Sequence, residues 1–141
     1  MCCAPLKSLF ILSMRILALH GKQQNKEVFR TRLGQLPRKL KKFGITFHLV
    51  EAPHDLPLGE GDSVAMKSWF ERIGFESVTP ESLETTLSLV EREWKQAIAE
   101  NDPFTCIFGF SQGGTLTGIV AGMPDRFPGL KCCCCIGAPN N

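Results

Sequence analysis

The chain has 141 residues, 43 % of them hydrophobic, and a formal charge of +2 at pH 7. That length carries one domain with one core, and the composition excludes a disordered or collagen-like chain. The charges are interspersed along the chain except for one dense cationic cluster, Arg38, Lys39, Lys41 and Lys42, which reads as a solvated helix end rather than a nucleic-acid site.

The first apolar run, Leu9-Phe10-Ile11-Leu12, is cut short by Arg15. It falls far below the roughly 18 residues of a membrane span, and no small-x-small cleavage site follows, so no transmembrane segment is expected. Met14 directly precedes the first strand, so residues 1–13 read as an N-terminal extension and 14–141 as the folded unit. Within that extension Cys2 and Cys3 could accept palmitate, and the acid-free stretch before Glu27 is compatible with a transit peptide.

Arg15 to Leu19 reads as an apolar strand, followed by the turn His20-Gly21-Lys22-Gln23-Gln24-Asn25. Phe29, Leu33, Leu36, Leu40 and Phe43 then recur at spacings of three and four, which predicts one helix, kinked at Pro37 and ended by Gly44. Arg38, Lys39, Lys41 and Lys42 read as its solvated end, where cations favour the helix dipole. Ile45 to Val50 makes a second strand, and Ala52-Pro53-His54-Asp55 turns the chain away. Residues 55–79 are loop-like, and a connection of that length in a compact domain is usually functional or disordered. The pair Trp69-Phe70 within it is read either as a hydrophobic cluster under the loop or as a pocket wall. Thr79-Pro80 then supplies an N-cap and first helical residue, and Leu83, Leu87, Val90, Trp94 and Ile98 form the stripe of a helix that Asn101-Asp102-Pro103 stops.

Residues 104–120 carry the most informative pattern: the apolar run Cys106-Ile107-Phe108, the turn Gly109-Phe110-Ser111-Gln112-Gly113, and a helical stretch with Leu116, Ile119 and Val120. Strand, sharp turn and helix around G-x-S-x-G predict a nucleophile elbow. Ser111 must then hold a strained backbone, and any side chain at 109 or 113 would strike a neighbouring strand or helix. The helix N-terminus aims at the reacting centre, so the Gln112 N–H is an expected oxyanion donor.

Lys131-Cys132-Cys133-Cys134-Cys135-Ile136 predicts a last strand, buried on both faces with its cysteines acting as small apolar residues. The seven cysteines show neither paired C-x-x-C spacing nor partnering histidines, which argues against a disulfide framework or a zinc site and for reduced thiols in the cytosol. No phosphate-cradling fingerprint occurs, and no cofactor or metal is expected. Four strands separated by helices require right-handed crossovers and a parallel sheet. If the first strand lies between the second and third, the order is 2-1-3-4, and its switch point then sets the His20–Lys22 turn opposite Ser111. The Lys22 N–H becomes the second expected oxyanion donor, and His20, Gly21, Trp69 and Phe70 the candidate substrate-binding residues.

Arg15-Ile-Leu-Ala-Leu-His-Gly21 with Gln24-Asn25, Val50-Glu-Ala-Pro-His54, Ser68-Trp-Phe70 and Gly109-Phe-Ser-Gln-Gly113 together resemble the small serine hydrolases of the FSH type, which include the ovarian-cancer-associated protein 2 group. The matches run in family order over residues 14–138, and Ile136-Gly-Ala-Pro139 is similar to the family's segment after the following strand. The resemblance implies an α/β-hydrolase fold with helices on both faces of the sheet. It also implies hydrolysis of carboxylic esters or thioesters of a small acyl substrate, with Ser111 as nucleophile. This fold takes its triad carboxylate and histidine from loops after the nucleophile. No histidine follows His54, and Asp125 is the single acidic residue after Ser111, so the triad Asp and His and the C-terminal strands are absent from this chain. Two readings follow: a hydrolase domain represented by its front half, or a catalytically incomplete isoform or fragment that binds an acyl ligand or a protein. Neither sets an oligomeric state.

Overall fold

The computed structural model describes residues 13–73 and 77–138. The expected extension 1–13 therefore lies almost wholly outside the described residues. Four strands form a parallel sheet: β1 (Met14–Leu19), β2 (Ile45–Val50), the short pairs β3 (His54–Asp55) with β4 (Lys67–Ser68) and β5 (Arg72–Ile73) with β6 (Ser77–Val78) standing apart, then β7 (Cys106–Phe110) and β8 (Cys132–Ile136). The sheet order is β2-β1-β7-β8, which is the expected 2-1-3-4. Register is set by matching apolar positions, with Leu17 beside Ile107 and Ile107 beside Cys133.

Helices connect these strands. α1 (Lys26–Leu33) and α2 (Leu36–Lys41) lead from β1 to β2, α3 (Pro80–Ala99) leads into β7, and α4 (Gln112–Ala121) joins β7 to β8. Phe29 of α1 stacks on Phe108, which also meets the edge of Phe47. On the opposite face, Leu17, Leu19 and Ile107 pack with Leu87, Val90 and Trp94 of α3 and with Leu116 and Val120 of α4. Successive residues of a strand point to opposite faces, so one apolar run serves both layers.

Two expectations need correction. The stripe from Phe29 to Phe43 is not one kinked helix: Gly34 takes φ +56°, and the chain restarts as α2 with Pro37 in its first turn. Pro37 lacks the N–H that a helix interior needs, but a first turn has no use for it. Phe29 alone of that stripe is fully buried, while Phe43 is 63 % exposed. The second correction concerns β8, whose five residues are all exposed although an interior strand was expected. It is the outermost strand of the sheet, and among the described residues no further strand pairs with its free side.

The 55–79 segment folds more than expected, because Asp55 pairs with Lys67 across β3 and β4 and the Leu56 N–H donates to the Met66 carbonyl. Thr79 takes the N-cap position of α3 as predicted, although its hydroxyl donates to Ser82 Oγ instead of accepting a backbone N–H; Leu87, Val90 and Trp94 are buried, and Ala97 rather than Ile98 completes the buried stripe. Among the described residues no helix is long and apolar enough to cross a membrane.

Candidate active site

Ser111 stands between the last residue of β7 and the first of α4, with φ +53° and ψ −116°. A residue with a Cβ rarely holds a positive φ, and such strain persists only where the surroundings impose it. The surroundings are two glycines. A Cβ at Gly109 would lie 2.1 Å from the Gly113 carbonyl oxygen and 2.3 Å from Thr117 Oγ1, so strand and helix touch backbone to backbone there. A Cβ at Gly113 would lie 2.3 Å from the Leu19 carbonyl oxygen, which drives α4 against the end of β1. The sharp turn is therefore required by packing on both sides, and Ser111 N–H is held by the Ile136 carbonyl at 2.8 Å.

The turn after β1 faces this serine. The Cβ position of Gly21 is 3.4 Å from Ser111 Cβ and 3.3 Å from the Phe110 ring. Gly21 N–H donates to Gln24 Oε1 at 3.1 Å, Gln23 holds φ +58°, and the Gln23 N–H donates to the Lys67 carbonyl at 3.1 Å. The backbone N–H of Lys22 makes no protein hydrogen bond among the described residues. Gln112, Gly113 and Gly114 form the first turn of α4, where an α-helix leaves its N–H groups without intrahelical partners. The Ser111 hydroxyl likewise has no partner among the described residues. Among the described residues, backbone donors without partners on two neighbouring turns thus adjoin a serine hydroxyl that also has none.

Beneath them lies a buried polar lattice. His20 has no exposed surface; its Nδ1–H donates to the Gly21 carbonyl at 2.7 Å and its Nε2 accepts from the Ala52 N–H at 3.0 Å. Both ring nitrogens are occupied, and burial holds the imidazole below its ordinary pKa, so the ring is neutral. Trp69 Nε1–H donates to the His20 carbonyl at 2.6 Å, and the Trp69 N–H donates to Gln112 Oε1 at 2.8 Å. Gln112 Nε2–H reaches Ser68 Oγ at 3.1 Å. One indole and one amide therefore lock the segment 68–70 to both turns.

The expected residues separate accordingly. Ser111, Gln112, Gly21 and Lys22 are brought together as predicted. His20, Trp69 and Phe70, the candidate substrate-binding residues, are buried, Trp69 with none of its surface exposed and Phe70 with 2 %, and of the two readings of the aromatic pair its packing matches the hydrophobic cluster. The remaining histidines are occupied elsewhere: His48 Nε2 with Glu93 at 3.3 Å and His54 Nε2–H with the Ser82 carbonyl at 3.0 Å. None of the three histidines in the sequence bonds Ser111. The side chains of Gln24 and Gln112 are the structural members that spacing alone could not single out, because an amide at a turn position has no periodic signature. Among the described residues no cluster of histidine, cysteine or carboxylate groups fits a metal ion.

A profile of the serine hydrolase (FSH1) family matches residues 11–135. The chain belongs to this family. It is similar to Esterase OVCA2 of Xenopus tropicalis, with 37 % identity over 129 residues, covering 80 % of this chain and 54 % of that protein. Esterase OVCA2 of Danio rerio is 30 % identical, with 80 % of this chain and 57 % of the relative covered. Esterase AGAP003155 of Anopheles gambiae is 32 % identical, with 80 % and 44 % covered. The chain thus spans about half the length of the curated relatives it matches.

Proposed function

We propose that the unit beginning at Met14 carries the nucleophile half of a serine esterase or thioesterase site, with Ser111 on a nucleophile elbow as the attacking residue. The observation that carries this reading is the positive φ of Ser111 on a turn that two glycines force to be sharp. Ser111 Oγ attacks the acyl carbon of a small ester or thioester, and the carbonyl oxygen becomes an oxyanion stabilised by the Gln112 and Lys22 N–H groups. The positive end of α4 adds to that stabilisation. The reading needs no cofactor, and the free thiols at Cys106 and Cys132 to Cys135 suit a reducing cytoplasm.

The Ser111 proton needs a base, and the engagement of all three imidazoles favours one contributed from outside these 141 residues. The same engagement favours, as a second reading, a catalytically incomplete form that binds the acyl ligand without turning it over. A fluorophosphonate probe tests both. It should label this chain weakly and a version extended with the relatives' further sequence strongly, and Ser111→Ala should abolish labelling of the extended form. Labelling that survives Ser111→Ala overturns the nucleophile assignment; strong Ser111-dependent labelling of the short chain overturns the need for an outside base.

A further inference from the structure

Between Glu27 and Glu51 the sequence holds six cations, Arg30, Arg32, Arg38, Lys39, Lys41 and Lys42, and no carboxylate. All six are exposed, and of them only Arg30 makes an ion pair, with Glu27, among the described residues. Unpaired cations without neighbouring acids raise a local positive potential. The same corner exposes apolar side chains that the helical stripe predicted to be core: Leu36 at 41 % and Phe43 at 63 %. A cavity of about 380 Å³ lined by Pro37, Arg38, Lys41, Ile45, Thr46 and Phe47 opens between them and β2, with an apolar floor and a cationic rim.

The geometry points to α2 and the Lys42–Phe43 turn as a docking surface for an anionic lipid bilayer, with Phe43 and Leu36 entering the interface and the cations meeting headgroup phosphates and carboxylates. Charge complementarity selects that occupant, and the apolar pair favours a bilayer over nucleic acid. A base would need the open face of an aromatic ring, whereas the Lys42 ammonium lies over the Phe43 ring, 5.2 Å from its centroid. An interfacial side chain needs only its apolar body in the acyl boundary while the neighbouring ammonium stays with the headgroups. The surface lies at the opposite end of the sheet from Ser111. Gly44 O accepts the Met14 N–H at 2.9 Å at the start of β1, whereas Ser111 follows the end of the parallel strand β7. Docking would therefore leave the serine turn open.

The test is co-sedimentation of the 141-residue chain with vesicles of phosphatidylcholine alone or containing about a third phosphatidylserine at roughly 0.1 M salt. Binding is expected to the anionic vesicles only and to fall as salt rises. Lys39→Glu with Lys41→Glu and Lys42→Glu should weaken it by about a hundredfold or more. Phe43→Ser should weaken it by about tenfold while leaving the salt dependence unchanged. If circular dichroism finds the triple charge reversal unfolded, the three Lys→Gln changes replace it, with the same direction and a smaller effect. Equal binding to neutral vesicles, no binding to anionic ones, or unchanged binding by the charge variants overturns the proposal. So does duplex DNA that displaces the chain from vesicles with equal effect on wild type and Phe43→Ser, which would assign the surface to nucleic acid.

Discussion

β1 and β8 flank the serine strand β7 on its two sides, both parallel to it and both written as short apolar runs. Leu17, Ala18 and Leu19 have no exposed surface, whereas every residue from Cys132 to Ile136 is exposed. The strands differ in what lies around them. β1 has a strand on each side, α1 with Phe29 on one face and α3 with Trp94 on the other, while β8 has β7 on one side and α4 beside it. Hydrophobicity makes a strand fit to be covered, and the neighbouring layers decide whether it is.

The sharpest way to probe the contrast is at the junction of β1 and α4. Gly113→Ala pushes a methyl group into the Leu19 carbonyl, a backbone atom of β1 that cannot rotate away. The expected loss is more than about 4 kcal/mol in a denaturant titration, enough to threaten folding. Gly118→Ala in the same helix meets nothing within 4 Å and should be neutral or stabilising by up to ~1 kcal/mol. Equal effects at the two glycines would contradict the close approach that shapes the Ser111 turn.

A smaller effect compares the flanking strands directly. Leu17→Ala should cost about 2–5 kcal/mol through the cavity it leaves, and Cys134→Ala within about 0.5 kcal/mol, both read from chemical denaturation. A thiol reagent added to the native chain should modify the β8 cysteines first. Cys106 should resist, since burial pushes its thiol up to about 12 and denies access. Comparable losses at Leu17 and Cys134 would mean that β8 is covered in solution.

The smallest expected effect is a pH dependence rooted in the lattice under β1. Burial holds the His20 imidazole below its ordinary 6.5, against the opposing pull of its bond to the Gly21 carbonyl. The unfolded chain then takes up a proton that the folded one refuses, so this contribution is whole above about 6.5 and is lost as the pH falls through 6.5 toward the lower folded value. The carboxyls of Glu84 and Glu91 act in a lower window, since Arg126 beside the first and Lys95 beside the second hold them below 4.5. Melting temperature measured across both windows should lose its upper component in His20→Gln. A slope unchanged by that substitution would assign the component to another group.

The parts legible in the sequence were those that short-range chemistry dictates. Gly109 and Gly113 around Ser111 announced a turn that tolerates no side chain, Thr79-Pro80 announced a helix start, and alternation of strands with helices demanded a parallel sheet whose switch point joins two turns. The parts left open or misread were those that depend on distant neighbours. Trp69 and Phe70 sit in a Pro- and Gly-rich segment that looks like a surface loop, yet bonds to His20 and Gln112, far away in sequence, draw Trp69 into the core beneath the serine.

The sequence by itself determined the alternation of strands and helices, the position of Ser111 on a strand–helix turn and the family, because each rests on local backbone restriction, on periodicity or on a run of matched residues, whereas the placing of β1 between β2 and β7 is a tertiary outcome. Tertiary structure decided that Gly34 divides the Phe29–Phe43 stripe, that the buried His20 spends both ring nitrogens on the backbone, and that the cysteine strand stays open. Those outcomes turn on how layers stack and which polar groups they strand. A buried donor or acceptor must find a partner wherever the fold offers one, and periodicity along the chain carries no record of that partner.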